Sequence, residues 1–195
     1  MNYLKAINEG IKLLQIKNIK NPKLDTELIL SNTLKKNREE ILTNLRNSIN
    51  KNEIDEFKNN INRRLKNEPV AYILGFKYFW KYKFLVNKSV LIPRPETECI
   101  VQESLNFIPA NKSKKILDIG TGSGCIIISI LKERSKCQGF AIDISKKALK
   151  VARTNAKLHH IKNKIKFINI DVDKFNSSKY DLIISNPPYV KLHKI

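Results

Sequence analysis

Between residues 115 and 132 the chain passes from a short apolar stretch, Lys115-Ile-Leu-Asp-Ile119, into Gly120-Thr-Gly-Ser-Gly124 and then into a second apolar run, Cys125 to Lys132. A strand that ends in a glycine-rich turn and leads straight into a helix is the repeating unit of an open parallel α/β sheet. Strands of such a sheet are joined by right-handed helical crossovers. The same alternation continues downstream. Gly139-Phe-Ala-Ile-Asp143 reads as a second strand, Ser145 as the cap of a helix running through Leu158, Ile165 to Ile170 as a third strand, and Asp181 to Ser185 as a fourth. From residue 93 onward the pattern therefore predicts an α/β domain with a parallel sheet.

The first 70 residues follow a different period. Ile7, Ile11 and Leu14 recur at helical spacing, and Leu24, Leu28 and Leu34 follow Asn21-Pro22, a helix-starting pair with proline suited to the first turn. Ile54, Phe57, Ile61 and Leu65 mark a longer amphipathic helix between Asn50 and Asn67, and Arg38 to Asn44 adds a turn or two. Together these predict a small helical bundle. After Pro69 the residues from Phe76 to Val86 are rich in aromatic and β-branched side chains, which suits a hairpin or extended arm. Its aromatics (Phe76, Tyr78, Phe79, Trp80, Tyr82, Phe84) are expected to pack between two domains rather than to stack nucleic-acid bases. The expected division is 1–74 as the bundle, 75–92 as hairpin and linker, and 93–195 as the α/β domain.

Composition excludes several classes. With 195 residues and 42% hydrophobic residues the chain is long and apolar enough to build a core, so it is not a disordered polymer. Its longest apolar run, Cys125 to Leu131, is broken by Ser129 and falls far short of the about 18 residues a membrane helix needs. Lys5, Glu9 and Lys12 interrupt the N-terminal stretch, so no secretory signal is read there, and a cytoplasmic protein away from membranes is expected. Cys99, Cys125 and Cys137 are odd in number and far apart, and His159, His160 and His193 form no ligand pattern with them, so neither disulfides nor a metal site are expected. The net charge of +19 is spread evenly, with 18 basic and 9 acidic residues up to 92 and 19 and 9 thereafter. Such a lysine-rich background steers acidic partners without marking a dedicated nucleic-acid site.

The residues that could carry chemistry lie where an open α/β sheet binds its ligand, at the carboxyl ends of strands. Asp118-x-Gly120-x-Gly122-x-Gly124 differs from the dinucleotide fingerprint in its glycine spacing and in the leading acid. Asp143, at the end of the next strand, can accept hydrogen bonds from both hydroxyls of a ribose. Asp171, after the third strand, can accept from an adenine amino group with Val172 against the ring, or can simply cap a turn. The fourth strand runs into Ser185-Asn186-Pro187-Pro188-Tyr189. Two prolines restrict the backbone, so the Asn186 side chain and the carbonyls of Asn186 and Pro187 can be held toward a cleft as acceptors. Acceptors aimed at an amino or amide group favour its nitrogen as it becomes pyramidal and attacks. Tyr189 can stack on a planar group.

These motifs together resemble a class I S-adenosylmethionine-dependent methyltransferase acting on a planar nitrogen. Glu68-Pro-Val-Ala-Tyr-Ile-Leu-Gly75, Phe79-Trp80 and Leu91-Ile-Pro-Arg-Pro-Glu-Thr-Glu98 narrow the resemblance to the release factor glutamine methyltransferases, the PrmC/HemK family, over nearly the whole chain. The resemblance implies a Rossmann-like domain behind a substrate-docking bundle, and methylation of the glutamine side-chain amide in the Gly-Gly-Gln loop of class I peptide chain release factors. It implies that S-adenosylmethionine is held by Gly120, Thr121, Gly122, Ser123, Gly124, Asp143, Asp171, Val172 and Asn186, where many members carry an aromatic residue in place of Val172. Asn186, Pro187, Pro188 and Tyr189 would bind substrate, with Asn186, Pro187 and Tyr189 as the catalytic set in an in-line transfer needing no strong base. A monomer is expected. Two other readings stand beside it: methylation of an adenine amino group in nucleic acid, and an inactive remnant. A complete class I sheet has more strands than the four read here, so a C-terminally truncated domain with an uncovered sheet face and lowered stability is expected.

Overall fold

The computed structural model describes residues 1–176 and 179–187. Its contacts divide the chain into two compact units, Met1–Gly75 and Phe76–Ile195.

The first unit is built from α1 (Tyr3–Ile16), α2 (Pro22–Leu34), α3 (Arg38–Thr43), α4 (Lys51–Leu65) and a short α5 (Val70–Leu74). The starts are set by short polar side chains. Asn2 Oδ1 accepts from the Lys5 amide at 2.9 Å, and Asn50 and Glu53 form a reciprocal capping box on α4. Gly75 ends α5 at φ +80°, a left-handed conformation that suits glycine. Leu14, Ile29, Leu30, Ile41, Phe57 and Ile61 form the centre of this core.

Helix α2 departs from the expected face. Leu24 is exposed and Leu28 only half-buried, whereas Asp25, Thr26, Glu27, Ile29, Leu30 and Thr33 are buried with Leu34. The leucine spacing misplaced the face because two acids are buried here as ion pairs. Arg64 Nε lies 2.7 Å from Asp25 Oδ2, and Arg38 Nη2 lies 2.7 Å from Glu27 Oε2. Paired carboxylates can occupy positions that hydrophobic periodicity assigns to solvent.

The second unit begins with an antiparallel hairpin, β1 (Phe76–Phe79) and β2 (Tyr82–Leu85), in the register Phe79↔Tyr82 and Lys77↔Phe84. Phe79 and Phe84 are both fully buried, with ring centroids 6.1 Å apart, in the same cluster as Val101, Ile108, Ile116 and Ile127. The hairpin belongs to the second unit, because these two rings supply part of that unit's core. Trp80 takes φ +55° in the turn. Its strain is offset by donation from its amide to Glu98 Oε1 at 2.7 Å and from Nε1 to Glu133 Oε1 at 3.3 Å, the same oxygen that accepts from Tyr82 OH at 3.0 Å.

The sheet that follows contains β3 (Lys115–Ile119), β4 (Gln138–Asp143), β5 (Ile165–Asn169) and β6 (Leu182–Ser185) in the order β5-β4-β3-β6, all parallel. Helix α6 (Glu98–Phe107) packs on α7 (Cys125–Glu133), which packs on β3, β4 and α8 (Lys146–Leu158). Residue Gly139 lets α7 approach β4 closely, since a Cβ there would stand 2.8 Å from Leu131 and 3.0 Å from Ile127. Among the described residues β6 is an edge strand, and its Ile183 is 58% exposed.

Candidate active site

Strand order creates the site. The chain moves outward from β3 to β4 and β5, then returns to the other flank of β3 as β6, so the carboxyl ends of β3, β4 and β6 lie side by side. Register brings Ile119 opposite both Ile142 and Ser185, which sets the glycine loop beside Asp143 on one flank and beside Asn186 on the other. A reversal of strand order across a parallel sheet is where such folds bind ligands.

Within the loop the glycines have separate roles. Gly120, Gly122 and Gly124 adopt φ of +69°, +56° and +79°, conformations that side chains disfavour. A Cβ on Gly124 would press to 3.0 Å from Ile128 and 3.2 Å from Ala152, so this glycine serves helix packing. Positions 120 and 122 differ, for among the described residues a Cβ there would meet no atom closer than 3.9 Å. The described residues thus leave room for a ligand to lie against the backbone at these two positions. The amides of Gly120 and Thr121 donate to the Ile142 carbonyl at 2.9 and 3.1 Å, and the Gly124 amide to the Thr121 carbonyl at 2.8 Å, which fixes the turn.

Two acids brace it. Asp118 is buried, and its Oδ2 accepts from Thr121 Oγ1 at 2.7 Å. Burial pushes its carboxyl up to about 7, with the neighbouring Asp143 raising it further and the Thr121 hydroxyl opposing. Asp143 is half-buried and spans two backbone amides, Gly122 N to Oδ2 at 3.0 Å and Ser145 N to Oδ1 at 2.8 Å. Each carboxylate oxygen can accept more than one hydrogen bond, so Asp143 can tie the loop to the start of α8 and still receive ribose hydroxyls. Ser123 is buried, its carbonyl accepting from Asn155 Nδ2 at 2.9 Å.

Beyond β5, Asp171 takes the capping role: its Oδ1 accepts from the Asp173 amide at 3.2 Å across a single 3₁₀ turn, and Val172 is half exposed. On the other flank, Asn186 is half-buried and donates through Nδ2 to Thr97 Oγ1 at 2.9 Å, while Ser185 Oγ donates to the Ile119 carbonyl at 3.1 Å. Pro187 is exposed. Pro188 and Tyr189 lie outside the described residues.

Residues 5–75 match the family described as the PrmC N-terminal domain, and residues 102–195 match the methyltransferase small domain. Over 194 residues, all of this chain and 68% of the relative, the sequence is 34% identical to the release factor glutamine methyltransferase of Buchnera aphidicola subsp. Baizongia pistaciae. The chain belongs to the release factor glutamine methyltransferase family. It is 39% identical to the release factor glutamine methyltransferase of Caulobacter vibrioides, covering 88% of this chain and 60% of that protein. It is also 38% identical to a bifunctional methyltransferase of Rickettsia bellii, over 97% of this chain and 39% of that protein. The chain thus spans from about two fifths to two thirds of the length of these relatives.

Several side chains that support the site in this glutamine methyltransferase family member do not stand out as site residues in the sequence. Thr97 sits in the Pro-Arg-Pro-Glu-Thr-Glu run that marks the family, yet its contact with Asn186 spans 89 positions. Asn155 carries a weak sequence signal, a fully buried amide on the apolar face of α8 among Ala148, Leu149, Val151 and Ala152. Asn169 Nδ2 donates to the carbonyls of Asp143 and Ile144 at 2.9 and 2.8 Å and holds the Asp143 loop against β5.

Proposed function

We propose that the carboxyl ends of β3, β4 and β6 bind S-adenosylmethionine and that the chain methylates the side-chain amide nitrogen of glutamine in the Gly-Gly-Gln loop of class I peptide chain release factors, a cytoplasmic step of translation termination. One observation carries the reading: the glycine loop, Asp143 and Asn186 share the ends of three adjacent strands in a chain of this family. Bound there, the cofactor supplies an electrophilic methyl group carried on a sulfonium sulfur. Gly120 and Gly122 allow close approach to the backbone, Asp143 accepts from the ribose, and Asp171 and Val172 border the adenine side. Asn186 and Pro187 supply oxygen acceptors for the substrate N–H bonds, with Pro188 and Tyr189 completing the motif. An amide nitrogen is a poor nucleophile until it becomes pyramidal, so acceptors that strengthen as charge develops lower the barrier. Holding the reactants in line supplies much of the remaining acceleration. The helical unit is proposed as the docking surface for the release factor, acting in a monomer.

The test is incubation of the full chain with labelled S-adenosylmethionine and, in parallel, release factor, DNA or RNA. Label is expected in release factor and is lost when the glutamine of Gly-Gly-Gln is changed to alanine. Asp143→Ala is expected to weaken cofactor binding about tenfold or more, as removal of charge-assisted hydrogen bonds does. Label confined to nucleic acid would establish the adenine reading instead, and cofactor binding unmoved by Asp143→Ala would remove the proposed ribose contact.

A further inference from the structure

We propose that the outer face of the β1–β2 hairpin and the adjoining face of α8 form a docking surface for single-stranded nucleic acid, built from residues outside the strand-end site. Charge distribution is the first observation. The two halves of the chain carry similar net charges, yet residues 76–92 hold four lysines and residues 144–170 hold seven lysines and one arginine, and neither stretch contains an aspartate or glutamate. The fold brings these two stretches together. Asn155 of α8 accepts from the Leu85 amide at 2.8 Å and donates to the Leu85 carbonyl at 3.0 Å, and His159 Nε2 donates to the Lys83 carbonyl at 2.9 Å.

Cations and an exposed ring lie along this junction. Between β2 and α8 is a cleft of about 270 Å³, lined by half-buried Leu85, buried Val86 and Val151, and the exposed side chains of Lys147, Lys150 and Thr154. Among the described residues Lys83, Lys147 and Lys150 form no ion pair, so their charge is open to a partner. The register Phe76↔Leu85 and Tyr78↔Lys83 puts Phe76, Tyr78 and Lys83 on the same face of the hairpin as Leu85, which continues the cleft along the strands. Lys83 Nζ stands 3.8 Å from the centroid of the Phe76 ring, and the Tyr78 ring meets that of Phe76 at 86° with centroids 5.8 Å apart. Tyr78 is thus braced by a neighbouring ring while remaining 66% exposed. Phe79 and Phe84 on the opposite face fill the core, and Tyr78 does not.

Charge complementarity selects the occupant. A phosphodiester strand carries a negative charge at every nucleotide and can neutralise several lysines in turn, whereas a protein surface interleaves both signs. Grooves that take single strands combine cations along the backbone with aromatic rings on which bases stack. The cleft lysines and Lys83 supply the first part and Tyr78 the second. A duplex keeps its bases stacked on one another and offers none to the tyrosine.

The test is fluorescence anisotropy of a labelled oligouridine of about 12 nucleotides, within the site sizes such grooves take, titrated with the full chain. Neither cofactor nor release factor is present, so the outcome is independent of methyl transfer. The double variant Lys147→Ala/Lys150→Ala is expected to weaken binding at least about fivefold and to reduce the slope of log affinity against log salt by about 1.4, the share of two phosphate contacts on a single strand. Lys147→Arg/Lys150→Arg keeps the charge and is expected to bind within about twofold of wild type. Tyr78→Ala is expected to weaken binding about fivefold or more with the salt slope unchanged, and Tyr78→Phe to stay within about twofold, since stacking needs only the ring. Lys12→Ala/Lys23→Ala, which removes the same charge from exposed positions of the helical unit, is expected to change binding by no more than about twofold. Duplex RNA of the same length is expected to bind at least about tenfold more weakly. An equal loss in the Lys12/Lys23 variant would overturn the proposal, because binding would then follow net charge alone. Unchanged affinity in Tyr78→Ala, or displacement of the oligouridine by polyglutamate at matched charge, would overturn it as well.

Discussion

Asp118 is a carboxyl group that cannot keep its usual acidity where the fold has put it. It lies fully buried beneath the glycine loop, and burial raises it to about 7 against the Thr121 hydroxyl, which favours the charged form. The folded state therefore holds a proton on Asp118 over a range in which the unfolded chain has released it. Stability from this residue is complete below the ordinary aspartate value near 3.8 and is lost as pH rises toward 7, with nothing further lost above. An asparagine in place of the acid has no proton to lose and can still accept from Thr121. Denaturant titrations of wild type and Asp118→Asn between about pH 4 and 8 are expected to show a decline in the first that is absent in the second. Parallel profiles would mean the carboxyl ionises elsewhere. The sequence marks Asp118 as the leading acid of the loop, but its state depends on how deeply β3 is covered, which only the assembled sheet determines.

Elements divide into those set by local pattern and those set by partners far away in the chain. Helix α8 follows Ser145 and ends at Leu158 as the sequence predicts, because Ser145 Oγ accepts from the Ala148 amide at 3.1 Å and the apolar stripe is regular. Strand β3, the glycine loop and α7 are equally legible, being contiguous. Helix α2 is not, since its buried face includes Asp25 and Glu27, whose arginine partners lie at positions 64 and 38. The hairpin is legible as a hairpin but not as part of the second core, because one of its attachments runs through Asn155. That side chain accepts from the Leu85 amide at 2.8 Å and donates to the carbonyls of Leu85 and Ser123 at 3.0 and 2.9 Å, so one amide joins β2, α8 and the glycine loop. Asn155→Leu leaves these backbone groups without their partner and is expected to cost about 2–4 kcal/mol in chemical denaturation. It should weaken cofactor binding as well, because the loop loses a brace. A loss in stability with cofactor affinity intact would separate the hairpin from the site.

At the scale of the whole molecule, the candidate site is a consequence of topology. No single segment contains it: Gly120 and Gly122 follow β3, Asp143 ends β4 and Asn186 follows β6, and they meet only because β6 returns to the free flank of β3. Sequence order reveals the four strands but not their neighbours. The placement of Asn186 near the loop was legible from its position at the carboxyl end of a strand, while its anchoring to Thr97 had no sequence signal at all. The even spread of a +19 charge contributes no part of this arrangement, and its effect on the site is confined to how acidic partners approach. The central claim, that these strand ends form an amide methylation site, is most directly tested by tandem mass spectrometry of a class I release factor incubated with the full chain and S-adenosylmethionine. The account predicts one added methyl group on the side-chain nitrogen of the Gly-Gly-Gln glutamine. An unmodified glutamine, with methyl groups on nucleic acid or nowhere, would contradict it.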